Sequence, residues 1–313
     1  MKFLLFLLAL IIIAIFIVSY AIYDNIFVRQ EDNGLLDTGP SASAEAFNKA
    51  NEEGRNWLKE NKETVTLEIG SFDGLKLRGL FIEGNRFKDK TIVCVHGYLT
   101  KNGLYDFGMS VRYLCSTGRN VLIVDDRAHG SSEGKYIGFS VLDAYDVVSW
   151  CKYLTDKMDQ KTIVLYGISM GAATVLNAAG DEEMVSALKG VVSDCAYADG
   201  FKELSYQIKK RYHLPAFPFM YLTDMYLRHF ADYSLKDKDP IRSIKNFKGA
   251  LLLIHGNKDF LVPSSDVYAL YDAADCDKDI LVVDGASHGK SYITAKPIYE
   301  SRFNELLEKA DIL

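Results

Sequence analysis

No long stretch of this sequence is dominated by charge of one sign; the basic cluster KKRYH, Lys209 to His213, is short. Its 36 Lys and Arg and 42 Asp and Glu are interspersed over 313 residues, with a net charge of −6. There is thus no basic stripe to track a phosphate backbone, and nucleic acid is not expected as a partner. Cysteine is sparse and unpatterned: five residues, an odd number, irregularly spaced and without a C-x-x-C pair. That argues against a disulfide framework and against a thiolate metal site. Cys94, Cys115, Cys151, Cys195 and Cys276 read instead as small buried hydrophobes, which fits a reducing compartment somewhat better than export. With 49% hydrophobic residues, the chain is neither disordered nor fibrous and can bury one domain of roughly 250 residues plus appendages.

A run that is both long and almost wholly apolar occurs only at the N-terminus. Phe3 to Ile22, FLLFLLALIIIAIFIVSYAI, carries no charge, enough for a helix across the ~30 Å hydrocarbon layer. Residues 1–23 therefore read as a membrane anchor. The rival reading is a signal peptide cut after Ala21, with Ser19 and Ala21 as the small flanking residues, but the apolar run exceeds the roughly 7 to 15 residues of such signals. Lys2 precedes the run, whereas Asp24, Arg29, Glu31 and Asp32 follow it. This weak bias favours a cytoplasmic N-terminus and an extracytoplasmic domain.

A polar segment with Gly and Pro, DNGLLDTGPSAS, closes a linker over residues 24–43, and residues 44–313 form the folded domain. A helix is expected near Ala44–Glu60. TVTLEI and LKLRGLFIE flank the turn SFDG and predict an antiparallel hairpin. Six short apolar runs follow: TIVCV, NVLIVD, TIVLY, GVVSD, ALLLIH and ILVVD. Such runs suit parallel strands covered on both faces. Helical patterns alternate with them at 103–116, 141–155, 172–180, 264–274 and 296–309, predicting a doubly wound α/β sheet with an antiparallel start.

Ligands of such sheets bind at the carboxyl ends of the strands, and that is where HGYLT, DRAHGSSEG, GISMG, GNKDFLVP and GASHG fall. In GISMG a strand runs into a helix through G-x-S-x-G, a sharp turn that exposes Ser169 beside free helix N–H groups. Gly167 and Gly171 remove side chains that would collide there. Alone the motif is weak, since a serine at a helix start is often just an N-cap. A serine nucleophile needs a histidine held by a carboxylate. Of the six histidines, His288 occupies the small-residue loop after the last strand, free to reach Ser169. Asp259 follows the seventh strand as its acid, with Asp194 the main alternative and Asp284 a weaker one.

VHGYLT, DDRAHGSSEG, YGISMG, IHGNKDFLVP and GASHG, in this order and at these intervals, resemble the α/β-hydrolases, and in particular the serine aminopeptidase-like and prolyl-oligopeptidase-like branch with its membrane-anchored bud-emergence-type members. The resemblance runs from about Thr64 to the C-terminus. It implies an α/β-hydrolase fold, a mostly parallel eight-stranded sheet flanked by helices, with a helical cap inserted at about 197–247. It also implies a Ser169–Asp259–His288 triad, an oxyanion hole from the backbone N–H groups of Met170 and Tyr98, and no metal or organic cofactor. Arg127 and His129 look like structural loop residues of the family. The substrate implied is a small-molecule or peptide acyl compound.

Carboxylic ester hydrolysis is the first expectation and peptide or amide hydrolysis the second, since Glu203, Asp224 and Asp232 in the cap could hold an ammonium. A dehalogenase would want a carboxylate where Ser169 stands. A non-catalytic ligand-binding member of the fold at the membrane is the alternative of another class. The cap insertion is rich in aromatic residues, from Phe201 to Tyr233, either contacting an apolar acyl group or gluing the cap to the sheet.

Overall fold

The structure, a computed structural model, describes residues 1–29 and 42–313; most of the expected linker lies outside them. Eight strands form one sheet: β1 (Val65–Gly70), β2 (Lys76–Ile82), β3 (Phe87–Val95), β4 (Arg119–Val124), β5 (Thr162–Ile168), β6 (Leu188–Asp194), β7 (Ala250–Gly256) and β8 (Asp277–Val283). Their order is β1-β2-β4-β3-β5-β6-β7-β8. The β1–β2 and β2–β4 pairs are antiparallel and the rest parallel.

β4 and β7 are buried along their whole length, as expected of parallel strands with both faces covered. In β3 the period of two divides the core: Val93 and Val95 join one buried cluster, Ile92 and Cys94 the other. The first face is covered by α5 (Leu142–Met158), α6 (Met170–Ala179) and α10 (Ser265–Ala273). The second is covered by α2 (Ala42–Asn61), α4 (Val111–Ser116) and, after the short α11 (Ser291–Thr294), α12 (Lys296–Ile312). The helix expected over 103–116 is two: α3 (Gly103–Phe107) stops before α4 begins. At the break Gly108 lies against α2 so tightly that a Cβ would meet the Asn51 carbonyl at 2.5 Å.

The insertion carries α7 (Gly200–Tyr212), α8 (Ala216–Phe230) and the short α9 (Pro240–Ser243). All five cysteines are free; Cys276 is half-buried and the other four are buried.

The N-terminal helix α1 (Lys2–Phe27) continues past the apolar run. Ser19, Ile22, Tyr23 and Phe27 are buried at the three- and four-residue spacing of one helix face. The Phe27 carbonyl accepts from the Ile137 N–H at 2.8 Å. The Arg29 guanidinium donates to the carbonyls of Ser132 and Gly130 at 2.7 and 2.9 Å. The end of α1 is thus part of the domain. Apart from Ser19, these anchoring side chains follow Ala21, so a cut there would leave them in place.

Candidate active site

The chain moves outward from β3 to β4, returns to β5 and then proceeds the other way through β8. The carboxyl ends of β3 and β5 therefore flank the point where strand order reverses, the place where such sheets open a crevice. The loop holding Tyr98 leaves one end and the turn holding Ser169 leaves the other. At the turn a Cβ on Gly97 would come within 3.3 Å of the Ser169 Cβ.

Ser169 has φ 57° and ψ −118°, a strained conformation that costs on the order of 1–3 kcal/mol. Its N–H donates to the Asp194 carbonyl at 2.9 Å, and its carbonyl accepts from Ala173 at 3.1 Å. Both flanking glycines are obligatory. A Cβ at Gly167 would lie 2.2 Å from the Gly171 oxygen, and one at Gly171 2.0 Å from the Val95 oxygen. The hydroxyl thus stands at the N-terminus of α6, whose first N–H belongs to Met170 and has no partner within the helix.

His288 arrives from the loop after β8. Its Nε2 is 2.7 Å from Ser169 Oγ, and its Nδ1 is 2.6 Å from Asp259 Oδ2. The Asp259 carboxylate is fully buried, and its Oδ1 accepts from the Leu261 and Val262 N–H groups at 2.8 and 3.0 Å. Burial alone would raise its pKa. Hydrogen bonds from His255 and His288 and the charges of both rings outweigh it, holding the carboxyl well below the usual range. The order Ser, Asp, His expected along the chain is thus joined in space as one hydrogen-bonded relay.

Asp194 belongs to a different set. It accepts from Ser291 Oγ at 3.0 Å and Tyr299 OH at 3.1 Å, and burial pushes it up to about 6 against the pull of those two donors. Its side chain therefore buttresses the core beneath the turn. Asp284 accepts from the Asn257 amide at 2.7 Å at the surface.

The Tyr98 loop is fixed from several sides. Asp106 accepts from the Gly97 N–H at 2.8 Å and from Thr100 Oγ1 at 3.0 Å. His129 Nε2 accepts from the Leu99 N–H at 3.2 Å while its Nδ1 faces the Arg127 carbonyl at 3.0 Å. Burial first, then the His96 charge, push His129 down to about 3, so the ring is neutral and can accept at Nε2. Arg127 is an ion-pair centre, held by Asp146 at 2.6 Å and Asp73 at 2.9 Å. Both residues are structural in place and partners. The Tyr98 hydroxyl itself donates to the Ile26 carbonyl of α1 at 2.8 Å.

Two neighbours of the relay carry no motif of their own. His255, next to last in β7, stands 3.2 Å from Asp259 Oδ2 and shares that contact with the Val262 carbonyl. Burial lowers the His255 pKa, but Asp259 more than offsets it, and the net shift is upward. Cys195 Sγ is 4.0 Å from His288 Nε2. Cys195, Asp259 and His288 bring ligand-type atoms within 4.8 Å of one another. However, burial pushes the Cys195 thiol well up, and the other two spend their atoms on the relay. A metal there would have to break it.

Among the cap carboxylates, Asp224 is tied down by Ser234 Oγ and the Leu235 N–H, and Asp232 is exposed. Glu203, buried in α7, accepts from the Gln207 amide at 2.8 Å. Burial pushes it up to about 7, with the charges of His288 and Asp259 among its surroundings. Of the cap aromatics, Tyr233 is buried, and Tyr226 and Phe230 pack on Tyr20 and Tyr23 of α1.

Residues 90–216 match the family model of the alpha/beta hydrolase fold. The solved structure of the esterase Pf2001 of Pyrococcus furiosus, 26% identical, superposes with a TM-score of 0.65 over 80% of this chain and 93% of that one. The chain belongs to the α/β-hydrolase superfamily. Acetyl xylan esterase 1 from Thermoanaerobacterium shares this α/β-hydrolase fold at 19% identity, TM-score 0.56, over 86% of this chain and 94% of its own. In sequence the α/β-hydrolase is similar to the uncharacterised protein YqkD of Bacillus subtilis, 27% identical over 80% of this chain and 81% of that protein. The fold and the esterase structures it resembles support a hydrolase.

Proposed function

We propose that the protein is a serine hydrolase that cleaves carboxylic esters through an acyl-enzyme intermediate. One observation carries this reading: Ser169 Oγ, 2.7 Å from His288 Nε2, with Asp259 2.6 Å behind the ring, at a glycine-flanked turn between a strand and a helix. The likeness to the Pyrococcus esterase supports the choice of esters.

In this mechanism Ser169 Oγ attacks the ester carbonyl as its proton passes to His288 Nε2. Asp259, ionised because two rings donate to it, keeps the Nδ1–H tautomer and stabilises the imidazolium. The N–H groups of Met170 and Tyr98 receive the oxyanion, each such donor being worth roughly 3 kcal/mol of barrier. Collapse expels the alcohol, protonated by His288. Water then attacks the acyl-Ser169 with its proton moving to His288, and the carboxylic acid leaves as Ser169 is reprotonated. Every step uses side chains and backbone of this chain.

Peptide or amide hydrolysis is the second reading, favoured by Glu203, the one buried cap carboxylate whose electrostatic surroundings include His288. A panel of p-nitrophenyl esters of rising chain length, run beside aminoacyl p-nitroanilides, separates the two. Faster ester turnover that disappears in Ser169→Ala is expected. Preference for the anilides, weakened in Glu203→Gln, would move the assignment to a peptidase. If the folded wild type turns over neither class, a ligand-binding role takes its place.

We further propose that α1, 26 residues with a mean hydropathy of 3.1 over its most apolar window, is a single-pass anchor that holds the domain on the extracytoplasmic side.

A further inference from the structure

α1 is joined to the domain over only part of its length. Residues 1–14 are exposed on every side, and burial begins at Ile15. At 1.5 Å per residue the free apolar stretch, Phe3 to Ala14, measures about 18 Å against a hydrocarbon layer of ~30 Å. If α1 crosses a bilayer, the layer must also take the stretch from Ile15 to about Ile22. That stretch is where α8 lies beside it. Thr223 Oγ1 donates to the Ser19 carbonyl at 3.2 Å, the Tyr20 and Tyr226 rings are 5.4 Å apart, and those of Tyr23 and Phe230 5.5 Å.

The opposite face of α8 has the wrong composition for water. Tyr221 and Met225, one turn apart, are 50% and 45% exposed, where a solvent-facing helix carries polar residues. Phe217, 74% exposed at the non-helical start of the segment, sets its ring 5.8 Å from that of Tyr221. Basic residues are close to this stripe along the chain: Lys209, Lys210 and Arg211 in the last turn of α7, His229 and Arg228 in that of α8, the latter paired with Asp237 at 3.0 Å; Lys236 Nζ lies 4.4 Å from the Tyr221 ring. Apolar and aromatic side chains on one face with cations beside them suit the headgroup boundary of an anionic membrane.

We propose that the outer face of α8 is seated in the interfacial layer of the same bilayer that α1 enters, with Phe217, Tyr221 and Met225 among the lipids and the flanking cations at their phosphates. The cap is then a membrane-docking surface rather than a water-exposed lid. This rests on the anchor reading of α1, and the test separates the two.

Full-length protein is reconstituted in phosphatidylcholine–phosphatidylglycerol vesicles, with acyl chains brominated near the headgroup or left plain, and the emission of the native Trp57 and Trp150 is subtracted. Tryptophan is introduced singly as Met225→Trp or Phe217→Trp on α8, as Phe6→Trp on α1, and as Tyr268→Trp on the exposed side of α10. The bromolipid is expected to quench both α8 reporters and the α1 reporter, and to leave the α10 reporter unchanged. Quenching at Phe6→Trp with both α8 reporters unquenched overturns the docking proposal and leaves the anchor standing. A blue-shifted α8 emission indifferent to bromine points to a second copy or another protein on this face and also overturns it. No quenching at Phe6→Trp removes the anchor, and the proposal with it.

Discussion

The hydroxyl of Tyr98 donates to the carbonyl of Ile26 at 2.8 Å, joining the loop beside Ser169 to the last turn of the N-terminal helix. A residue whose backbone is assigned to the oxyanion is thereby held, through its side chain, by the apolar helix. Removing the hydroxyl takes this donor from the half-buried Ile26 carbonyl, at a cost of about 1 kcal/mol. Tyr98→Phe is expected to fold, to bind ester substrate nearly as well, and to lose roughly tenfold in kcat as the loop loosens. Steady-state kinetics that return an unchanged kcat would show the loop is fixed without α1.

The same junction separates the effects of a deletion and a substitution. Deleting residues 1–14, which are exposed throughout, is expected to leave thermal stability and turnover in detergent unchanged. Phe27→Ala in the full chain removes a fully buried ring and is expected to cost about 3–5 kcal/mol, read by urea unfolding.

The two buried aspartates at the site are expected to diverge on neutralisation. Asp259→Asn removes the ionised partner of His288 and should lower kcat by about 10⁴, with the fold retained. Asp194→Asn alters only the bonds from Ser291 and Tyr299 and should cost far less. A larger loss in the second variant would transfer the acid's role.

Their effects on stability run in opposite senses with pH. Asp259 has a depressed pKa in the folded state; its contribution is full above about pH 4 and is lost as pH falls below that. Asp194 is raised to about 6. Its folded form binds the extra proton, so its contribution is greatest in acid and is lost as pH rises from about 4 through 6. Urea midpoints against pH should lose acid-limb slope in Asp259→Asn, whereas Asp194→Asn should gain stability relative to wild type on going from pH 4 to pH 7.

Much of this was legible in the sequence, for a physical reason. Ser169, Asp259 and His288 each follow a short apolar strand in a glycine-marked loop, and a parallel sheet gathers such loops at one edge. The sheet and the order of its strands' loops followed from the same pattern. Other features left no local trace. Tyr98 and Ile26 are separated by 72 positions, and nothing in HGYLT points to a helix 70 residues upstream. His255 reads as a packed strand end, yet its ring lies 3.2 Å from Asp259, a contact made only when the loop after β7 curls back. The break between α3 and α4 depends on Asn51 of α2 pressing on Gly108. The extension of α1 through Asp24 and Asn25 comes from Tyr23 and Phe27 meeting the core, which overrides the polar residues between them.

Backbone crowding at the turn gives a further expectation. Gly171→Ala places a methyl 2.0 Å from the Val95 carbonyl, which neither β3 nor α6 can yield without shifting. Activity should disappear together with several kcal/mol of stability, whereas Ser169→Ala should lose activity alone. Equal stability of the glycine variant and wild type in urea would contradict the tight approach of α6 to β3.

The most direct test of the central claim is intact-mass analysis after reaction with a fluorophosphonate. Wild-type protein is expected to gain one adduct, mapped by peptide sequencing to Ser169, and folded Ser169→Ala none. An adduct retained in Ser169→Ala, or its absence from folded wild type, would contradict an activated serine at this turn.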